Sequence, residues 1–198
     1  MYDFYALLDR MKFIKRWSLM RSTQEENIMQ HSQQVTMLAH ALTMIERHIF
    51  NNTEIQLEKV LLYAIYHESS EVLTGDLPTP IKYFNIELQT AYKNLESLAN
   101  KKLLQMLPKE FIPEMQEILM IDSDCIEGKI VKWADKLSAY IKCLEEKKSG
   151  NIEFKRAEES ILKELQAFQS RAVDYFLKYF ITAYGKTLDE IEMLPTSK

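Results

Sequence analysis

The stretch HESSEVLTGDLPTP, residues 67–80, follows the apolar run VLLYAIY and places His67, Glu68, Glu71 and Asp76 within ten positions. An imidazole beside three carboxylates can hold a divalent cation and move protons around bound water. Burying such groups where an apolar segment ends is costly unless they are paired or coordinate a metal. Two distant residues have the same character. His31 lies four residues before Val35, on the face of a stripe formed by Val35, Leu38, Leu42 and Ile45. Asp135 lies at the edge of a second stripe, Ile130, Ala134, Leu137, Ile141 and Leu144.

Helices must present these side chains. Val60, Ala64, His67 and Glu71 are spaced four, three and four, so a helix puts them on one face, with Glu68 on the adjoining one. Two histidines and two carboxylates then point from three helices into one interior, as in helical metal proteins. Each residue alone has a plainer reading. A histidine on an apolar stripe can be a hydrogen-bonded core residue, Asp135 can pair with Lys132 or Lys136, and Glu71 can be an exposed helix-end charge. Periodicity leaves both readings open. His40 and His48 lack acidic neighbours and suggest no site.

Apolar spacing of three and four runs through the chain without a convincing alternating segment, which predicts an all-α fold. With 198 residues, 46% of them apolar and 27% charged, one domain spanning 1–198 is expected. Four glycines and five prolines leave room for long helices. The pattern predicts helices over about 3–15, from Ser22–Thr23 to about Phe50, and over about 54–70. Others are expected over about 84–107, 110–120, 124–148 and 152–182, with a stop at Gly150 and a break near Ser170. Pro78 and Pro80 predict a rigid, non-helical loop over 74–80.

A net charge of −4 gives no reason to expect polymeric nucleic acid as a partner. Cys125 and Cys143 are isolated, which argues against a disulfide scaffold and a cysteine zinc site. The N-terminus lacks a signal-peptide core, and no stretch reaches the roughly 20 apolar residues of a membrane span. A cytoplasmic protein is expected.

Taken together, His31, the pair His67–Glu68 and Asp135 resemble the H…HD…D signature of HD-domain metal-dependent phosphohydrolases. The chain is more closely similar to the YfbR-like bacterial 5′-deoxynucleotidases. FIKRWSLMR (13–21), EENIMQHS (25–32), YHESSEVLTGDLPTPIKYF (66–84), ADKLSAYIKCLEE (134–146) and DYFLKYF (174–180) resemble that family's segments in order and separation. The resemblance implies a single-domain helical HD fold with His31, His67, Glu68 and Asp135 as metal ligands. It implies that Glu71 works on the attacking water and that Asp76 is a second catalytic carboxylate. Arg16 and Trp17 match the pair that faces the phosphate and sugar. The implied enzyme is a homodimer or higher homo-oligomer that removes the 5′-phosphate from deoxyribonucleoside monophosphates with cobalt, manganese or a similar ion.

Two neutral imidazoles with two carboxylates suit Co²⁺, Mn²⁺, Fe²⁺ or Zn²⁺ better than Mg²⁺. Arg16 offers a fork for phosphate, Lys82 a further phosphate contact, and Trp17 a flat wall against the sugar or base. Asp76 can protonate the departing 5′-oxygen or anchor a sugar hydroxyl. The chain departs from the family pattern at Glu68, where Asp is usual, and at Gln30, where an acidic residue often precedes the first histidine. The longer Glu68 side chain is expected to shift the ion, weaken it or change its identity, and Gln30 to thin the support behind His31. Two rival functions keep the fold: a dATPase-like triphosphohydrolase, and a non-catalytic nucleotide-binding regulator.

Overall fold

Helices account for all the regular structure in the computed structural model, which describes residues 1–82 and 84–191. The order is α1 (Phe4–Leu8), α2 (Ile28–Met44), α3 (Leu57–Tyr66), α4 (Glu71–Thr74), α5 (Thr79–Lys82), α6 (Ile86–Leu104), α7 (Ile112–Leu119), α8 (Ile126–Lys148), α9 (Lys155–Ala167) and α10 (Arg171–Tyr179). A 3₁₀ turn, Asp9–Phe13, prolongs α1, and a π turn, Ile45–Ile49, prolongs α2.

The stripes read from the sequence become the core. Val35 and Leu42 of α2, Val60 and Ala64 of α3, and Ile130, Ala134 and Leu137 of α8 lose all contact with solvent where these three helices pack. Each larger side chain contributes roughly 1.5–3 kcal/mol through burial. Ile161 and Leu165 of α9 and Val173 of α10 extend the same core. Phe4, Ile28, Leu103 and Ile118 form a second cluster that seats α1, α6 and α7.

Three expected boundaries move, for local reasons. α2 starts behind Asn27 rather than Ser22–Thr23: Asn27 Oδ1 accepts from Gln30 N at 3.0 Å, and Gln30 Oε1 accepts from Asn27 N at 3.2 Å. Thr23 is engaged elsewhere, because its amide and hydroxyl donate to Glu146 at 2.9 Å. The expected 54–70 helix loses regularity after Tyr66, where shorter bonds (Ser69 N to Tyr66 O and Glu71 N to Glu68 O, both 3.0 Å) tighten the chain. Pro80, expected to bar helix, lies inside α5. A proline is tolerated in a first turn, whose N–H groups have no partner in the helix. The expected stop and break are both present: Gly150 has φ 79°, and Ser170 caps α10.

Glu146 explains how the non-helical 17–26 segment is held. It is fully buried on α8 and also accepts from Asn151 Nδ2 at 2.7 Å and Lys142 Nζ at 2.5 Å. Lys142 in turn donates to Gln24 O at 2.5 Å. Burial opposes the Glu146 charge, yet the Lys142 ammonium and the Thr23 and Asn151 donors hold its pKa at about 2. Glu146→Ala would strand the Lys142 charge in the core. The expected loss is about 3–5 kcal/mol in urea unfolding. A loss below about 1 kcal/mol, the range of an exposed pair, would mean that the network does not secure the segment.

Candidate active site

α2, the turn after α3, and α8 bring four sequence-predicted residues together. His31, His67, Glu68 and Asp135 each offer one ligand atom, and these atoms all lie within 4.8 Å of one another. His31 Nε2 is 3.1 Å from Asp135 Oδ1 and 3.8 Å from Glu68 Oε1. His67 Nε2 is 3.4 Å from His31 Nε2 and 3.5 Å from Glu68 Oε1. Donors bound tetrahedrally at about 2.1 Å from one ion stand about 3.4 Å apart, so these spacings fit a single transition-metal ion. Glu68, with its longer side chain, reaches the cluster from the tightened turn after Tyr66.

Hydrogen bonds fix both imidazoles with Nε2 facing inward. His67 Nδ1–H donates to Ala64 O at 2.8 Å. His31 Nδ1–H donates to Ser138 Oγ at 3.0 Å, and that hydroxyl donates onward to Gln34 Oε1 at 2.6 Å. Such outer partners set the tautomer and basicity of a metal-binding histidine. Burial lowers the His67 pKa and keeps the ring neutral. For His31, burial and the Arg16 charge act downward, but hydrogen bonds to Asp135 and Glu26 outweigh them and raise its pKa. Burial also opposes ionisation of Asp135, yet His31 and Arg16 hold it well below the usual carboxylate range.

Glu71 opens α4 and is 5% exposed, so it is not the solvated helix-end charge of the plainer reading. Burial, then Glu68 and Asp76, push its pKa up to about 10. Neutralising Glu68 with a cation would remove the leading charge repulsion and return Glu71 toward the range of a general base. Gly75, at φ 73°, turns the chain so that Asp76 enters a neighbouring cavity of about 500 Å³. Burial raises the Asp76 pKa. Arg16, Trp17 and Asp135 line the same cavity, which therefore adjoins the cluster of His31, His67, Glu68 and Asp135. Lys82 does not line it: its ammonium is 3.0 Å from Glu96 and 4.5 Å from the centre of the Tyr92 ring.

Glu26, Ser138 and Gln34 stand behind the site and escaped the sequence reading. Ser138 falls three residues after Asp135, and Gln34 three after His31, so helical spacing could have found them. Glu26 lies in irregular chain and carries no such signal. Gln30, expected to thin the support behind His31, completes the capping box of α2 with Asn27.

A family model described as 5′-deoxynucleotidase YfbR-like matches residues 3–184. A 5′-deoxynucleotidase of Photorhabdus temperata is 46% identical over 195 residues, 98% of either chain. One of Vibrio parahaemolyticus is 47% identical over 189 residues, 95% of this chain and 97% of its own. An HD-domain phosphohydrolase from Listeria innocua superposes with a TM-score of 0.78 at 25% identity, covering 92% of this chain and 88% of that one. The cyanophage S-2L HD phosphohydrolase DatZ, bound to dA and one catalytic Zn²⁺ ion, shares the fold at a TM-score of 0.64 and 18% identity, covering 92% and 96%. Matched over nearly its whole length, the chain is a hydrolase that belongs to the YfbR-like 5′-deoxynucleotidase family.

Proposed function

We propose that this enzyme converts deoxyribonucleoside 5′-monophosphates to deoxynucleoside and phosphate with a divalent ion held by His31, His67, Glu68 and Asp135. Residues 1–198 act as one HD-type domain. The donor set supports Zn²⁺, Co²⁺, Mn²⁺ or Fe²⁺ over Mg²⁺, and a cyanophage protein of this fold carries Zn²⁺. Such an ion, when bound, offsets charge on a phosphoryl oxygen and acidifies attached water.

The chain's own groups do the rest. Arg16 offers its guanidinium fork to the phosphate. The Trp17 indole gives the sugar a flat wall, against which a missing 2′-hydroxyl leaves less polar surface to desolvate. Glu71 takes a proton from the attacking water as its oxygen bonds to phosphorus. The bond from phosphorus to the 5′-oxygen breaks, and Asp76, kept toward its protonated form by burial, supplies the proton to the departing oxygen.

One observation carries the monophosphate over the triphosphate: the charge of the cavity. Arg16 and Lys136 are the only cations among the described residues lining it, and Lys136 is paired with Glu164 at 2.7 Å. Asp76, Asp135 and Glu164 complete an acidic wall. A single phosphate fits beside Arg16, whereas a triphosphate tail would meet like charge. Metal-loaded protein incubated with dAMP is therefore expected to release phosphate and deoxyadenosine. Release of triphosphate from dATP would favour the rival activity, and no product from either would favour a non-catalytic nucleotide binder.

The proposal includes a homodimer in the cytoplasm. Free Cys125 and Cys143 support a reducing compartment. The exposed apolar residues Leu88, Leu95 and Leu98 of α6 support self-association, and a monomer mass in light scattering would exclude it.

A further inference from the structure

Glu26 is absent from the four-ligand cluster and from the cavity lining, yet it touches both. Its Oε1 accepts from Arg16 Nη1 at 3.1 Å and lies 3.4 Å from His31 Nδ1. Its Oε2 accepts from Trp17 Nε1 at 3.1 Å. Its backbone carbonyl accepts from Arg16 N at 2.9 Å. The Glu26 side chain is only 15% exposed, so water competes little for these bonds.

We propose that Glu26 is a positioning residue that couples the nucleotide cradle to the metal ligand His31. The inference deepens the function proposed above and rests on it. Two features show what the carboxylate holds in place. Trp17 adopts φ 58°, a left-handed conformation that a bulky residue keeps only when its surroundings enforce it. Here the indole N–H is fixed by Glu26, while the ring packs on Phe154 with centroids 5.2 Å apart. Arg16 has a competing attraction, because its Nη2 is 4.0 Å from Asp135 Oδ1. Without the Glu26 charge, the guanidinium would be drawn to a carboxylate that the ion needs. Glu26 thus aims Arg16 at phosphate, keeps it off Asp135, and backs the Nδ1 side of His31 against Ser138.

Glu26→Gln tests this role with little change in shape. The amide keeps one acceptor oxygen and turns an NH₂ group toward a site built of donors. Two constants should move together: the KM for dAMP, and the dissociation constant for Co²⁺ read from visible absorption. Each should rise about tenfold or more, the range for outer partners of metal ligands. Asn27→Ala controls for folding, since it removes the α2 cap beside Glu26. It should lower the melting temperature and leave both constants unchanged. If Glu26→Gln moves neither constant or only one, the coupling is overturned. It is also overturned if Asn27→Ala reproduces both shifts. Failure of the proposed function would show separately, as wild-type protein without dAMP turnover; in that case the dissociation constant for dAMP, measured by calorimetry, takes the place of KM beside the optical Co²⁺ constant.

Discussion

Glu71→Ala is expected to retain its metal and bind dAMP while turnover falls by at least about a hundredfold, the effect of losing a general base. Position separates Glu71 from the four clustered residues beside it. It begins α4, beyond the turn that carries Glu68, and it is not one of the four residues whose donor atoms converge. It is buried at 5% exposure beside Glu68 and Asp76, acidic neighbours that oppose its charge. A buried carboxyl facing like charges is a costly choice for a scaffold, and it becomes a suitable base once a cation offsets the Glu68 charge that helps to push its pKa up to about 10. Turnover and metal content should therefore part company in this variant. Near-normal turnover would exclude the base role, and loss of metal would make Glu71 a ligand.

The helical core and the convergence of His31, His67, Glu68 and Asp135 were legible because both depend on spacing, whereas the metal-ligand role came from the family resemblance. Val35, Ala64 and Ala134 mark inward faces, and His31, His67 and Asp135 fall on or beside them at intervals the α-helix fixes. What spacing could not show lies where the chain leaves the helix. The Ser22–Thr23 start signal was outcompeted by Glu146, a residue more than a hundred positions away that claims the Thr23 amide and hydroxyl. Pro80 read as a helix breaker because the sequence did not reveal that it would sit in a first turn. Glu26 and the left-handed Trp17 belong to the same irregular segment, so the support behind Arg16 and His31 became visible only in three dimensions. Lys82 shows the converse limit: its type suited phosphate, but Glu96 already takes its ammonium.

His67→Ala is expected to have the largest effect of all, because it removes one of the four donors that converge on a single point. His67 Nε2 is within 3.5 Å of both His31 and Glu68, and its Nδ1–H donates to Ala64 O. Alanine at 67 leaves His31, Glu68 and Asp135 with three donors and a gap where the fourth stood. Structural metal affinity depends on ligand number and on distances held within a few tenths of an ångström, so the loss should be close to complete. The decisive measurement is elemental analysis of wild-type and His67→Ala proteins purified without chelator, with phosphate release from dAMP followed on the same samples. Wild-type protein should carry up to about one transition-metal ion per chain, and the variant should lose both the ion and the activity. Full metal content in His67→Ala, or undiminished phosphate release without metal, would contradict a metal-dependent site built on these four residues.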